Sequence, residues 1–205
     1  PDHLRDAIND RTRIVILNSP SNPTGSVYSP EETKAIGDIC VEKGVLMMSD
    51  EIYEKLIYGD TVFKSVASFS QEHQDHTIIV HGLAKAYSMT GWRIGFTAAP
   101  LPIAKAIGAI QSHSTSNPTS FAQSGAVQAL KGPQDHLAEW LAEFSKRRDY
   151  AYGRLTDMPG ISCVNAQGAF YLFPSISDTG MKSAEFCEKL LAEQKVAAVP
   201  GVAFG

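Results

Sequence analysis

Cysteine is scarce in this chain. Cys40, Cys163 and Cys187 are odd in number, widely spaced and form no C-x-x-C pair, which argues against a disulfide framework and against a zinc site. They read as buried free thiols of a reducing compartment, so a cytoplasmic location is expected. The six histidines, His3, His73, His76, His81, His113 and His136, contain no H-E-x-x-H and no i,i+4 pair, and no metal site is expected. No apolar run approaches the roughly 20 residues of a bilayer span, so no membrane partner is expected. Positive charge is not in excess either. Lys plus Arg number 18 against 22 Asp plus Glu, a net charge of -4, which leaves no basic field for nucleic acid. The one basic cluster, Lys146-Arg147-Arg148, lies amid Glu139, Glu143 and Asp149 and reads as a solvated helix face. Internal repeats, low-complexity tracts and long linkers are also missing. Pro1 stands where an initiator Met would be, and Ala203-Phe204-Gly205 follows an apolar run directly; both ends are therefore expected to be internal to a longer chain.

What is present suits a globular α/β protein. With 205 residues, 43% hydrophobic and 20% charged, the chain can bury a core of one large domain or one and a half smaller ones. Residues 13–17 form a β-branched run that enters dense turn chemistry, Ser19-Pro20-Ser21-Asn22-Pro23-Thr24-Gly25. Ser29-Pro30-Glu31-Glu32 reads as a helix start with a capping box, and Gly44 as its end; Ile36, Ile39, Cys40 and Val41 supply the apolar stripe. Val45-Leu46-Met47-Met48 is a continuous apolar run of the kind found in a parallel strand covered on both faces, with Asp50 at its C-terminal end. Residues 78–80 and 94–98 read as further strands, and 102–113, 120–130, 134–155 and 183–194 as helices. Residues 161–164, 169–173 and 196–199 look strand-like. The order implies a mostly parallel sheet covered by helices, followed by part of a smaller α+β domain; the boundary is expected near 140, giving 1–140 and 141–205.

Ligands of open parallel sheets sit at the carboxyl ends of the strands, and Asn22, Asp50, Lys85 and Arg93 fall at such places. Each has a plainer reading: a turn for Asn22-Pro23-Thr24-Gly25, a helix cap for Asp50, a solvated charge for Lys85, a surface ion-pair partner for Arg93. Together they specify one chemistry. Pyridoxal 5'-phosphate needs an amine for its aldehyde, an anion to keep its pyridine nitrogen protonated, donors to its phenolic oxygen and a cation for its phosphate. Lys85, Asp50, Tyr53 with Asn22, and Arg93 match that list. Arg93 can bind phosphate through two parallel hydrogen bonds, which lysine cannot imitate. Trp92 reads as core, and His81 as a satisfied structural histidine at a strand end.

The motifs NSPSNPTG, SDEIYE and AKAYSMTGWRIGF, continued by HSTSNPTSFAQ, QGAFYLF and VPGVAFG, resemble the class I and II pyridoxal-phosphate aminotransferases of fold type I. The wording is most similar to bacterial aspartate and prephenate aminotransferases. The resemblance implies that Lys85 is catalytic, forming the internal aldimine and carrying the proton between substrate Cα and cofactor. It implies cofactor contacts from Asp50 to the ring nitrogen, from Asn22 and Tyr53 to the phenolic oxygen and from Arg93 to the phosphate. Aspartate and 2-oxoglutarate are the implied substrates, in a ping-pong transfer by a homodimer. The family often carries Ser three positions before the lysine; here that residue is Gly82, and a backbone N–H is expected to replace the serine contact. A Gly-rich phosphate loop upstream and a carboxylate-binding arginine downstream of the F-G end are implied but lie outside these residues. Phe170-Tyr171 is implied at the substrate mouth, with strand packing as the plainer alternative. Two other functions remain open on the residues: a β-lyase or related synthase with the same cofactor, and a non-catalytic binding or regulatory module.

Overall fold

The structure is a computed structural model describing all 205 residues. A short helix α1 (Asp2–Ala7) precedes strand β1 (Ile14–Asn18), helix α2 (Pro30–Lys43) and strand β2 (Leu46–Asp50). Helix α3 (Gln71–Asp75) leads into β3 (Thr77–Gly82), and β4 (Gly95–Ala98) follows. Four helices then dominate: α4 (Leu101–Ser114), α5 (Ser120–Lys131), α6 (Asp135–Thr156) and α7 (Ser183–Gln194). The sheet order is β1-β2-β3-β4. β1, β2 and β3 are parallel and β4 is antiparallel to β3. Connection chemistry explains the mix: α2 and the segment containing α3 are crossovers that return the chain to the same end of the sheet, whereas β3 and β4 are joined by a turn with no such crossover.

Helix α2 forms as its sequence dictates. Ser29 accepts from the Glu32 N–H while Glu32 accepts from the Ser29 N–H, Pro30 fills the first position, and Gly44 closes the helix at φ 62°, where a Cβ is unfavourable. Its Ile36 and Cys40 pack with Leu17, Met47 and Val66 into the main buried cluster. Burial along β2 alternates: Met47 and Ser49 are buried, whereas Leu46, Met48 and Asp50 are half-exposed. Ile14 and Ile16 of β1 are exposed on the same, more open face as Asp50, because the register pairs Ile14 with Leu46 and Ile16 with Met48.

Three runs read as strands carry no ladder. Residues 161–164 contribute only the isolated bridge of Ser162 with Ser175, and neither 169–173 nor 196–199 holds a bridge, the pairing of Gly168 with Ile57 lying one residue before the former. A β-branched or aromatic run becomes a strand only where an edge offers matching N–H and C=O groups. Ala169, at φ 58°, also breaks the second run at its first residue.

The segment around Ala169 is anchored instead by Gly25. The Gly25 carbonyl accepts from the N–H groups of Gln167 and Gly168 at 2.8 and 2.9 Å. A Cβ on Gly25 would lie 2.5 Å from Ala166 Cβ and 3.1 Å from the carbonyls of Gly168 and Tyr171, at a φ of +70°. Gly25→Ala is therefore expected to cost about 2–4 kcal/mol in the full-length protein, checked by chemical denaturation; an unchanged midpoint would count against this close approach.

Candidate active site

Asp50 ends β2, opposite Asn18 of β1 and Val80 of β3. Its Oδ1 accepts from the Ile52 N–H at 3.2 Å, and no cation pairs with it. Asn18 shapes the neighbouring loop, because its side-chain oxygen accepts from the Asn22 N–H at 2.8 Å and so fixes the first turn after β1. The loop therefore delivers Asn22 beside the end of β2.

Lys85 follows β3 in a turn that buries Leu83, Ala86 and Met89. Leu83 and Met89 pack on Ala126 of α5, which leaves the lysine between them half-buried rather than free in solvent. Its Nζ makes no hydrogen bond or ion pair. It lies 5.7 Å from the centroid of the Tyr53 ring and 5.4 Å from that of Phe170. Tyr53 is buried, edge-on to both Phe170 and Tyr171, and its hydroxyl is hydrogen-bonded to that of Tyr171. Burial first, and then Tyr171, push the Tyr53 phenol well above its ordinary range, so it is a neutral donor at physiological pH. Asn22 Nδ2 donates to the same Tyr171 oxygen at 3.5 Å.

The structure thus brings Asn22, Tyr53 and Lys85 into one neighbourhood and places Asp50 on the adjoining strand end. Arg93 is set apart: it is exposed, sits at φ 54°, donates from Nη1 to the Thr90 carbonyl at 3.0 Å and bonds to none of the other four. The Gly82 N–H lies 2.6 Å from Nδ1 of His81 and donates to it while the imidazole is neutral; in the protonated ring Nδ1 carries a proton and faces the Gly82 carbonyl at 3.1 Å instead. Glycine suits this position for a different reason. A Cβ there would be 3.1 Å from Gly95 Cα and from the Ile94 carbonyl, so a side chain would push β4 off β3.

Two acidic groups support the floor of the site. Glu51 is 3% exposed and accepts from Ser49 and Ser65 hydroxyls at 2.9 and 2.7 Å; burial nonetheless pushes its carboxyl above the ordinary range. Glu54 lies 3.1 Å from His81 Nε2, and the imidazole stacks on Phe96. Burial opposes protonation of His81, but Glu54, the Gly82 carbonyl and Glu51 outweigh it and raise its pKa. A raised folded-state value means that the pair stabilises fully below the unfolded histidine range of about 6.5 and loses that contribution as pH rises through the higher folded value. Thermal midpoints of the wild type and His81→Gln should therefore differ most at acidic pH and converge as pH rises; a constant difference would refute the pairing.

The cluster Lys146-Arg147-Arg148 is not uniformly solvated. Arg148 is largely buried, with its guanidinium 4.4 Å over the Tyr58 ring and Nη1 donating to the Ala166 carbonyl at 3.1 Å. Trp92, read as core, is 44% exposed and meets Phe121 edge-on. Sequence reasoning also missed the part played by Tyr171, for a plain reason: its partners are 118 and 149 residues away, beyond any local pattern.

The sequence matches the family described as "Aminotransferase class I and II" over residues 1–205. It is 49% identical over 210 residues to an aspartate aminotransferase of Geobacillus stearothermophilus and 47% identical to one of Bacillus subtilis, covering all of this chain and 53% of each relative. The fold superposes on a solved aromatic aminotransferase of Pyrococcus horikoshii with a TM-score of 0.95 at 41% identity, covering 100% of this chain and 55% of that one. The chain therefore spans about half the length of the curated relatives it matches. With the α/β sheet and matches over every residue in agreement, the chain belongs to the class I and II aminotransferase family.

Proposed function

We propose that the full-length protein containing this chain is a pyridoxal-phosphate-dependent aminotransferase that moves an amino group between an amino acid and a 2-oxo acid. Aspartate, which the relatives' names carry, is the preferred amino donor, and 2-oxoglutarate is the acceptor that the motif resemblance implies. The observation that carries this reading is Lys85 Nζ, half-buried without a hydrogen bond or ion pair, over the ring of the buried Tyr53, with the neighbouring strand β2 ending in an Asp50 that no cation pairs with. An amine, a carboxylate and oxygen-directed donors left without competing ion pairs form the donor set that pyridoxal phosphate requires, and the residues fit that group.

When bound, the cofactor supplies an electron sink for the charge left on the substrate Cα. The rest is the work of the chain. Lys85 would hold the cofactor's aldehyde and, once released by the incoming amino acid, take the Cα proton on Nζ and return it. Asp50 would keep the ring nitrogen protonated. Asn22 and Tyr53 would donate to the phenolic oxygen, and Arg93 would grip the phosphate with the guanidinium N–H groups not given to Thr90. The buried Tyr53 ring and the more exposed Phe170 ring flank Nζ and limit the water around it. Two substrates would use the site alternately, in ping-pong order, within a homodimer. The division at residue 140 belongs to this reading; α6 crosses it as one continuous helix and would join the two domains.

The test is an assay of the full-length protein for glutamate formed from aspartate and 2-oxoglutarate. Parallel double-reciprocal lines, with a requirement for added pyridoxal phosphate after dialysis, are expected. Ammonia release without amino transfer would replace this reading with a lyase.

A further inference from the structure

Tyr171 has two hydrogen-bond partners, and both are residues proposed above to face the cofactor's phenolic oxygen. Either hydroxyl can donate in the Tyr53–Tyr171 bond, and a ligand oxyanion that takes the Tyr53 proton leaves the Tyr53 oxygen to accept. The Asn22 side-chain nitrogen can only donate, so the Tyr171 oxygen accepts from it. Once the Tyr53 proton is given to a ligand, the Tyr171 hydroxyl is the donor that stands beside the Tyr53 oxygen. With its oxygen accepting from Tyr171, Tyr53 keeps its own proton free to donate onward. Chains of this kind also strengthen bond by bond, because each accepted hydrogen bond makes a hydroxyl a better donor.

The backbone that presents Tyr171 is held with unusual care for a loop. Ala169 is fully buried at φ 58°, a conformation disfavoured for a residue with a Cβ. It is kept there by the Tyr58 hydroxyl, which donates to its carbonyl, and by its own N–H, which donates to Leu56 at 2.9 Å. Arg148 secures the preceding turn through the Ala166 carbonyl. This strained turn sets Phe170 against Lys85 and Tyr171 against Tyr53.

We propose that Tyr171 is a positioning residue that passes a hydrogen bond from Asn22 to Tyr53 and thereby aims the Tyr53 hydroxyl proton at an oxyanion acceptor of the ligand. This rests on the pyridoxal-phosphate reading above. A donor aimed at an oxygen stabilises its anion and lowers the pH at which the anion forms. Loss of one neutral hydrogen bond corresponds to a change in affinity of roughly three- to tenfold.

The experiment compares full-length wild type, Tyr171→Phe, Tyr53→Phe and the double variant. Each is titrated with pyridoxal phosphate, and the visible absorption of the bound cofactor is then followed against pH; thermal midpoints confirm folding. Tyr171→Phe is expected to weaken cofactor binding about three- to tenfold and to move the spectral midpoint to higher pH. In the Tyr53→Phe background the same change should have little further effect, because Tyr171 acts through the Tyr53 oxygen. An equal shift in both backgrounds, or none in the wild-type background, would overturn the positioning role while leaving the cofactor reading intact. A wild type that gives no cofactor band at all would remove the cofactor reading and this inference with it.

Discussion

Lys85→Ala in the full-length protein is expected to abolish the visible absorption band of covalently held pyridoxal phosphate and to reduce amino transfer by about four orders of magnitude or more. The size follows from losing two functions of one atom: Nζ is both the attachment point for the aldehyde and the base placed to carry the proton. Folding should be only modestly affected. Nζ has no hydrogen bond or ion pair to lose, and its two ring contacts, at 5.4 and 5.7 Å, together correspond to about 1–2 kcal/mol. Lys85→Arg sharpens the result. Arginine keeps the positive charge but remains protonated, so it should lose the band as completely as alanine does. A band of wild-type intensity in either variant, or turnover within tenfold of wild type, would remove Lys85 from the proposed role.

Asp50→Ala should produce the opposite combination. The attachment at Lys85 and the phosphate grip of Arg93 would remain, so the cofactor should still bind within about an order of magnitude of wild type. Turnover should fall by about 10²- to 10³-fold, the range for removing a group that stabilises charge as it develops. Asp50 is suited to that task because no cation in the structure competes for its carboxylate; the Ile52 N–H is its hydrogen-bond donor. The diagnostic pattern is a large change in kcat with modest change in cofactor affinity. Near-normal turnover would show that the ring nitrogen finds its partner elsewhere, and loss of all cofactor binding would recast Asp50 as a structural residue.

The contrast between Glu51 and Asp50 shows where sequence reasoning stopped. The two acids are neighbours in SDEIYE, and alternation along β2 places Asp50 on the open face. Nothing in the motif shows that Glu51 is buried beneath two serine hydroxyls, one of them fourteen residues away. The same holds for Arg148. Charge patterning counted it with Lys146 and Arg147, but the step of about 100° from one helical residue to the next turns Arg148 onto Tyr58 and the Ala166 carbonyl. Strand prediction failed beyond residue 160 because local propensity cannot supply a partner edge, and failed most clearly at Ala169, whose left-handed backbone is imposed by Tyr58, Leu56 and Gly25.

The amino-acid sequence alone determined the parts whose causes are local. The capping box that starts α2, the Gly44 stop, the apolar runs of β1 to β3 and the chemical types of Asn22, Asp50, Tyr53, Lys85 and Arg93 are all set within a few residues, by backbone geometry and side-chain identity. Tertiary structure decided what depends on distance in space. It turned β4 antiparallel, engaged the Gly82 N–H with His81, drew Arg148 out of a solvated row, and hung Tyr171 between two residues far from it in the chain. A hydrogen bond or a buried charge is worth its energy only where the fold supplies a partner and excludes water, and no window of sequence contains both.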